Sequence, residues 1–302
     1  MSIQEFSKNK FVVAFTLFAG KVLPAKWRLL LFKRIADWIS SRQSSSMVQA
    51  VRANQWQIRS DRSKKSLDMA VRAVFRHAAC CISDLSHSVG NPAVLKSLFV
   101  ETPDVKSLIE RSQKGGKGLF IVAPHMSNFD FVMLALGHSG LKAQILTYSQ
   151  PEGGYVTMNT VRESSGLEIT PISSSSLMQA LRRLKDGGIV VTAIDRPIPN
   201  QKEFLNFFDV PAPLPTGHIR LSLKTDAEMV VVAAHLKSDG IYEMLISKPI
   251  ELERFPDSKH EIKYNAERVL KVIENYILLA PEQWLMYYPV WPERASLVKN
   301  EF

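Results

Sequence analysis

A histidine and an aspartate close an apolar run in Gly118-Leu-Phe-Ile-Val-Ala-Pro-His125-Met-Ser-Asn-Phe-Asp130. Imidazole titrates nearest to neutral pH, and a carboxylate that accepts its Nδ1 proton leaves Nε2 free as a general base toward a hydroxyl or water. The run before His125 reads as a strand, and the apolar residues Phe131 to Leu136 read as a helix. The pair is therefore expected where a strand ends and a helix begins, a frequent ligand position in α/β sheets. With Ser127 as the expected cap, His125 stands just outside the helix and Asp130 falls in its first turn. The helix dipole there favours an ionised carboxylate, and unpaired N–H groups can face a developing oxyanion.

A plainer reading uses the same residues. Ser127 to Asp130 also fits the capping box, a serine with an acid three residues on. No metal is expected, because no nearby cysteine or second histidine stands at ligand spacing. Ser127 lacks the flanking glycines of a nucleophile elbow, which weighs against covalent catalysis through its hydroxyl. Spacing alone leaves the cap and the acid–base pair both open.

The positioning elements follow from periodicity. Short β-rich runs at Leu119–Ala123, Ala143–Tyr148, Ile189–Ile194, Met229–Leu236 and Tyr242–Ile246 alternate with helical stretches. Those stretches are Ser127–Leu136, Val156–Ser165, Leu177–Lys185, Thr216–Lys224 and Ser258–Leu279. This alternation predicts an α/β fold, a central mixed sheet flanked by helices. Ahead of it Met47 to Ser88 reads as helix, so residues 1–90 are expected to form a helical N-terminal region and residues 91–302 the α/β domain.

Charge separates these regions. The 302 residues carry 38 Lys+Arg and 29 Asp+Glu, yet Met1 to Arg72 alone holds 14 basic and 4 acidic residues. A basic, aromatic-containing segment suits an anionic membrane surface. No zinc-finger, RNA-recognition or zipper pattern supports nucleic acid as the partner. From Lys26 to Ile39 the residues Trp27, Leu30, Leu31, Ile35, Trp38 and Ile39 recur at helical spacing, a basic amphipathic helix that can lie in a headgroup layer or pack on the protein's own core. The apolar run Phe11 to Gly20 is ten residues long, short of the ~20 that span a bilayer. It has the look of a signal-peptide core, but the amphipathic pattern continuing to Ile39 favours its retention. Cys80 and Cys81 are adjacent, which excludes a disulfide framework and points to a reducing compartment.

Several short motifs recur in one order along the chain. They are the His125 to Asp130 segment, Ala70-Val-Arg-Ala-Val-Phe-Arg76, Met158-Asn-Thr-Val-Arg162 before Gly166-Leu-Glu-Ile-Thr-Pro171, and Ile194-Asp195. Phe207-Phe-Asp-Val-Pro211 then leads to Pro215-Thr-Gly217, and Pro281-Glu-Gln-Trp284 lies near the end. In this order they resemble the lysophospholipid acyltransferase superfamily with its His-x4-Asp/Glu motif. The similarity is to its bacterial branch, which holds the lauroyl and myristoyl transferases of lipid A synthesis and the phosphatidylinositol mannoside acyltransferase.

The resemblance implies an acyltransferase in which His125 is the general base and Asp130 its orienting partner. A lipid hydroxyl would attack an acyl-carrier protein or coenzyme A thioester, without cofactor, metal or covalent enzyme intermediate. Arg162 is then expected to help build the site and to pair with a phosphate. Asp195 would orient Arg162 or the acceptor, and otherwise is a turn residue; many relatives follow it with Gln, whereas Arg196 stands here. Thr216 and Gly217 open a helix as phosphate donors or as a cap. Asn128 lines the site or steadies the turn, and Glu282, Gln283 and Trp284 are expected to be structural. The implied location is the cytoplasmic face of the bacterial inner membrane, held peripherally or by the N-terminus. Aminoacyl transfer from a carrier protein to lipid A, a hydrolase, and a non-catalytic lipid-surface module are the alternatives.

Overall fold

The computed structural model describes residues 10–199, 201 and 203–301. Six strands form the central sheet: β1 (Leu119–Ala123), β2 (Ala143–Thr147), β3 (Glu168–Pro171), β4 (Ile189–Ala193), β7 (Glu228–Leu236) and β8 (Tyr242–Ile246). Their spatial order is β3-β2-β4-β1-β7-β8, with every pairing parallel except the antiparallel β7–β8 edge. The sheet is therefore mixed, as expected, and helices cover both faces. β1 is apolar at every position because each of its faces is buried. Phe120 and Val122 point to one core and Leu119 and Ile121 to the other.

One detail of register governs the site. β1 and β4 lie side by side with Ala123 opposite Ala193. Two residues beyond that pair, the chain reaches His125 on one strand and Asp195 on the other.

The helices in chain order are α1 (Lys10–Val22), α2 (Ala25–Ser40), α3 (Ser46–Ile58), α4 (Lys64–Ser88), α5 (Pro92–Leu98), α6 (Pro103–Lys114), α7 (Phe129–His138) and α8 (Gly154–Glu163). They continue with α9 (Ser174–Lys185), α10 (Gly217–Thr225), α11 (Ser258–Leu279) and α12 (Pro292–Glu301). The expected helical stretch from Met47 to Ser88 is two helices, because Arg59 turns extended and Ser63 caps α4 by accepting from the Ser66 N–H. α5 and α6, short β3, and the hairpin of β5 (Leu205–Phe207) with β6 (Val210–Ala212) are further elements that periodicity did not single out.

Among the first helices, α2 buries Arg28, Phe32 and Ala36, one turn apart, and packs that stripe against α4. Trp27, Leu30, Leu31, Ile35 and Trp38 lie on the surface instead, with Trp27 67% and Trp38 55% exposed. The apolar stripe read from the sequence is thus mostly an outward face and not a core seam.

Candidate active site

The segment after β1 is shaped by its neighbours. Ser127 has a left-handed backbone (φ 50°), uncommon for a residue with a Cβ. It is held there by three contacts. Its N–H donates to the Gln283 carbonyl at 2.6 Å, Met126 pairs with Trp284, and the Leu285 N–H donates to the His125 carbonyl at 2.8 Å. A strap formed by residues 283–285 therefore lies alongside the turn.

His125 faces the end of β4. Its Nδ1 lies 2.6 Å from Asp195 Oδ1, and its backbone N–H donates to Asp195 Oδ2 at 2.8 Å. The Trp284 indole N–H donates to the same Oδ2 at 2.8 Å. Asp195 is fully buried, so three donors replace the water its carboxylate has lost. With Nδ1–H directed to the carboxylate, Nε2 is the open nitrogen, and the imidazole is 27% exposed. Phe129 meets the ring edge-to-face with centroids 5.5 Å apart. Exposure rises along β4 from buried Ile189 to exposed Ala193, at the end of the strand that leads to Asp195.

Asp130 does not contact His125. The left-handed turn at Ser127 carries the start of α7 away from the strand end, and Asp130 Oδ1 accepts from Arg162 Nε at 2.6 Å. Arg162 also donates through Nη1 to Asn159 Oδ1 at 2.7 Å, and no hydrogen bond joins it to Asp195. The carboxylate hydrogen-bonded to the His125 ring is thus Asp195 and not Asp130, because adjacent strands bring together residues that are distant in sequence. Ser127 is also not the cap. Asn128 is, with its Oδ1 accepting from the Phe131 N–H at 3.4 Å while its amide donates to the Cys81 carbonyl at 2.9 Å. The capping-box geometry is absent, since Asp130 faces Arg162.

Behind the turn stands a second imidazole that sequence reading passed over. His77 Nε2 on α4 lies 3.1 Å from Ser127 Oγ and 3.3 Å from Cys81 Sγ. Burial, helped by His235 nearby, lowers its pKa to about 4, so it is neutral at pH 7. Its position directly after the Ala70–Arg76 run was the only available signal. Trp284, expected to be structural, is the other residue that reaches this site, through its indole N–H.

Thr216 and Gly217 begin α10, where the Thr216 carbonyl accepts from the Ile219 N–H. No hydrogen bond among the described residues joins them to His125 or Asp195. Of the apolar residues after the motif, Phe131, Val132 and Leu134 are core. Arg196 lies over the Tyr288 ring at 3.9 Å and near Tyr148 at 4.8 Å.

An α/β sheet with an imidazole–carboxylate pair at the ends of neighbouring parallel strands defines a protein equipped for general-base chemistry on a hydroxyl or water. The chain matches the family described as bacterial lipid A biosynthesis acyltransferase over residues 4–293, and it belongs to that family. It is 24% identical over 126 residues to the phosphatidylinositol mannoside acyltransferase of Mycobacterium tuberculosis (strain CDC 1551 / Oshkosh), covering 40% of each chain. To the protein of that name from Mycolicibacterium smegmatis it is 23% identical over 184 residues, covering 58% of this chain and 57% of the relative. The chain thus spans about two fifths to under three fifths of these relatives' length.

Proposed function

We propose that this protein transfers a fatty acyl group from a thioester to a lipid hydroxyl at a membrane surface, with His125 as general base and Asp195 as its orienting carboxylate. The observation that carries the reading is the 2.6 Å contact between Nδ1 and buried Asp195, which leaves Nε2 open at the mouth of the sheet. Nε2 takes the proton of the acceptor O–H as its oxygen attacks the thioester carbonyl. The tetrahedral intermediate collapses, the C–S bond breaks, and the imidazolium returns its proton to the departing thiolate. Asp195 steadies the imidazolium while it exists. Asp130 and Arg162 act one step removed, fixing the start of α7 against α8. Acyl-carrier protein or coenzyme A supplies the thioester, and the acceptor is a (glyco)lipid of the lipid A or mannoside kind that the family and the relatives' names suggest.

The N-terminal helices support the surface part of the reading. Phe15, Phe18 and Val22 on α1 are exposed, as is the face of α2 that carries Trp27 and Trp38, with Lys26 and Arg34 nearby in sequence. α1 in turn touches α8, the helix that carries Arg162. No described helix is long and apolar enough to cross a membrane. We therefore place the exposed faces of α1 and α2 on anionic lipid at the cytoplasmic face of the inner membrane, aromatic rings down and cations toward headgroups.

The test is incubation of the protein with labelled acyl-carrier or coenzyme A thioesters and lipid acceptors, followed by lipid mass spectrometry. Acyl lipid is expected from the wild type and a loss of about a thousandfold from His125→Ala, which keeps its thermal midpoint. Thioester loss without acylated lipid, or transfer undiminished in His125→Ala, would overturn the proposal.

A further inference from the structure

The two arginines at this end of the sheet are held in opposite ways. Arg162 is neutralised by Asp130 at 2.6 Å and tied to Asn159. Arg196, immediately after Asp195, has no hydrogen bond or ion pair among the described residues. Its guanidinium carbon instead sits 3.9 Å from the Tyr288 ring centroid and 4.8 Å from that of Tyr148. Both oxygens of Asp195 are already taken by donors from His125 and Trp284, so that carboxylate does not quench it.

Aromatic faces hold a guanidinium flat without cancelling its charge, and the N–H groups in its plane remain available at its edge. Carboxylate pairing, as at Arg162, cancels the charge and takes part of the fork. Tyr148 follows β2, Arg196 follows β4, and Tyr288 belongs to the segment that carries Trp284, so the cluster stands at the same sheet end as His125. The phenol of Tyr288 adds no negative charge: burial and a hydrogen bond with Tyr155 push its pKa up to about 12.

Resting on the acyltransferase reading, we infer that Arg196, steadied by Tyr148 and Tyr288, is a phosphate-binding residue for one of the two reactants. The shared chemistry is a phosphate group, carried either by the pantetheine arm of the thioester donor or by the headgroup of the lipid acceptor. A planar fork with one uncompensated positive charge suits two phosphate oxygens at once. The placement also assigns to Arg196 the anion recognition that the sequence suggested for Arg162.

Calorimetric titration of the full chain separates the two sources. One arm compares 4′-phosphopantetheine with pantetheine, and the other compares lysophosphatidic acid with monoacylglycerol in neutral detergent micelles. The wild type is expected to prefer the phosphorylated member of one pair, and Arg196→Gln to cut that preference by about tenfold or more. Arg196→Lys, a point charge without the flat fork, should keep part of it, and Tyr148→Leu should give a smaller loss. The pair that responds identifies donor or acceptor. Unchanged preference in Arg196→Gln, or equal weakening with and without phosphate, would overturn the inference. Thermal melts confirm that each variant is folded. Acyl transfer by the wild type and His125→Ala is measured alongside, so failure of the acyltransferase reading shows as no transfer while phosphate preference is still read from the binding arms.

Discussion

The turn between β1 and α7 looks in two directions, and its two sides use the same residue types differently. On the strand side, His125 meets Asp195 and keeps a nitrogen and part of its ring open to solvent. On the helix side, Asp130 is spent on Arg162, while half-buried His77 rests against a hydroxyl and a thiol. One side holds an imidazole hydrogen-bonded to a buried carboxylate. The other holds an imidazole that burial keeps neutral, and a carboxylate whose charge is already cancelled. Chemistry is thus expected on the strand side and fixation of the turn on the helix side.

The sharpest way to break this contrast is to amidate each carboxylate. Asp195→Asn is expected to lower kcat by about 10²–10⁴ per folded molecule, because Nδ1 loses its acceptor and the imidazolium its counter-charge. Asp130→Asn instead leaves Arg162 with its charge uncompensated in a mostly buried site. It should cost about 2–4 kcal/mol of stability in chemical denaturation, at or below the range for a fully buried pair, with a smaller effect on turnover. Adding Arg162→Gln should recover part of that stability. If Asp130→Asn abolished turnover while Asp195→Asn kept it, the two sides would have to exchange roles.

His77 gives a pH test of the helix side. In the unfolded chain it binds a proton near pH 6.5, whereas in the fold it resists protonation until about pH 4. Acid therefore favours unfolding, and stability should rise with pH through this window. Between pH 7 and pH 5 the contribution is about 2 kcal/mol, which His77→Gln should remove from a plot of unfolding free energy against pH. A residual slope from His218 remains in both proteins, since burial lowers that pKa to about 3. The smallest expected effect is on the strand side. Trp284→Phe removes one of three donors to Asp195 and should reduce kcat about tenfold while KM stays put. A fall in KM-dependent terms alone would mean that the indole shapes substrate binding and does not position the carboxylate.

Much of this architecture could be read from local pattern. β1 and β4 announce themselves as short apolar runs between helical stretches, and His125 was identifiable by its place at a strand end. β3 escaped because four residues holding Glu168 and Pro171 carry no clean alternation, and β5 and β6 because three-residue strands are below any period. Asp195 was visible as a strand-end carboxylate, but its partner depends on which strands are neighbours. That neighbourhood is β2-β4-β1-β7, an order that no local window contains. Asp130 pairs with Arg162 for the complementary reason: close to His125 in sequence, it is separated from that ring by the left-handed turn at Ser127. The exposed face of α2 was legible as a stripe, whereas its outward direction depends on how Phe32 and Ala36 pack on α4.

The strap from Gln283 to Leu285 ties the catalytic turn to a late part of the chain. During synthesis His125 emerges long before the Trp284 indole and the Gln283 carbonyl that complete its surroundings, so the turn takes its final shape only once that later segment has docked.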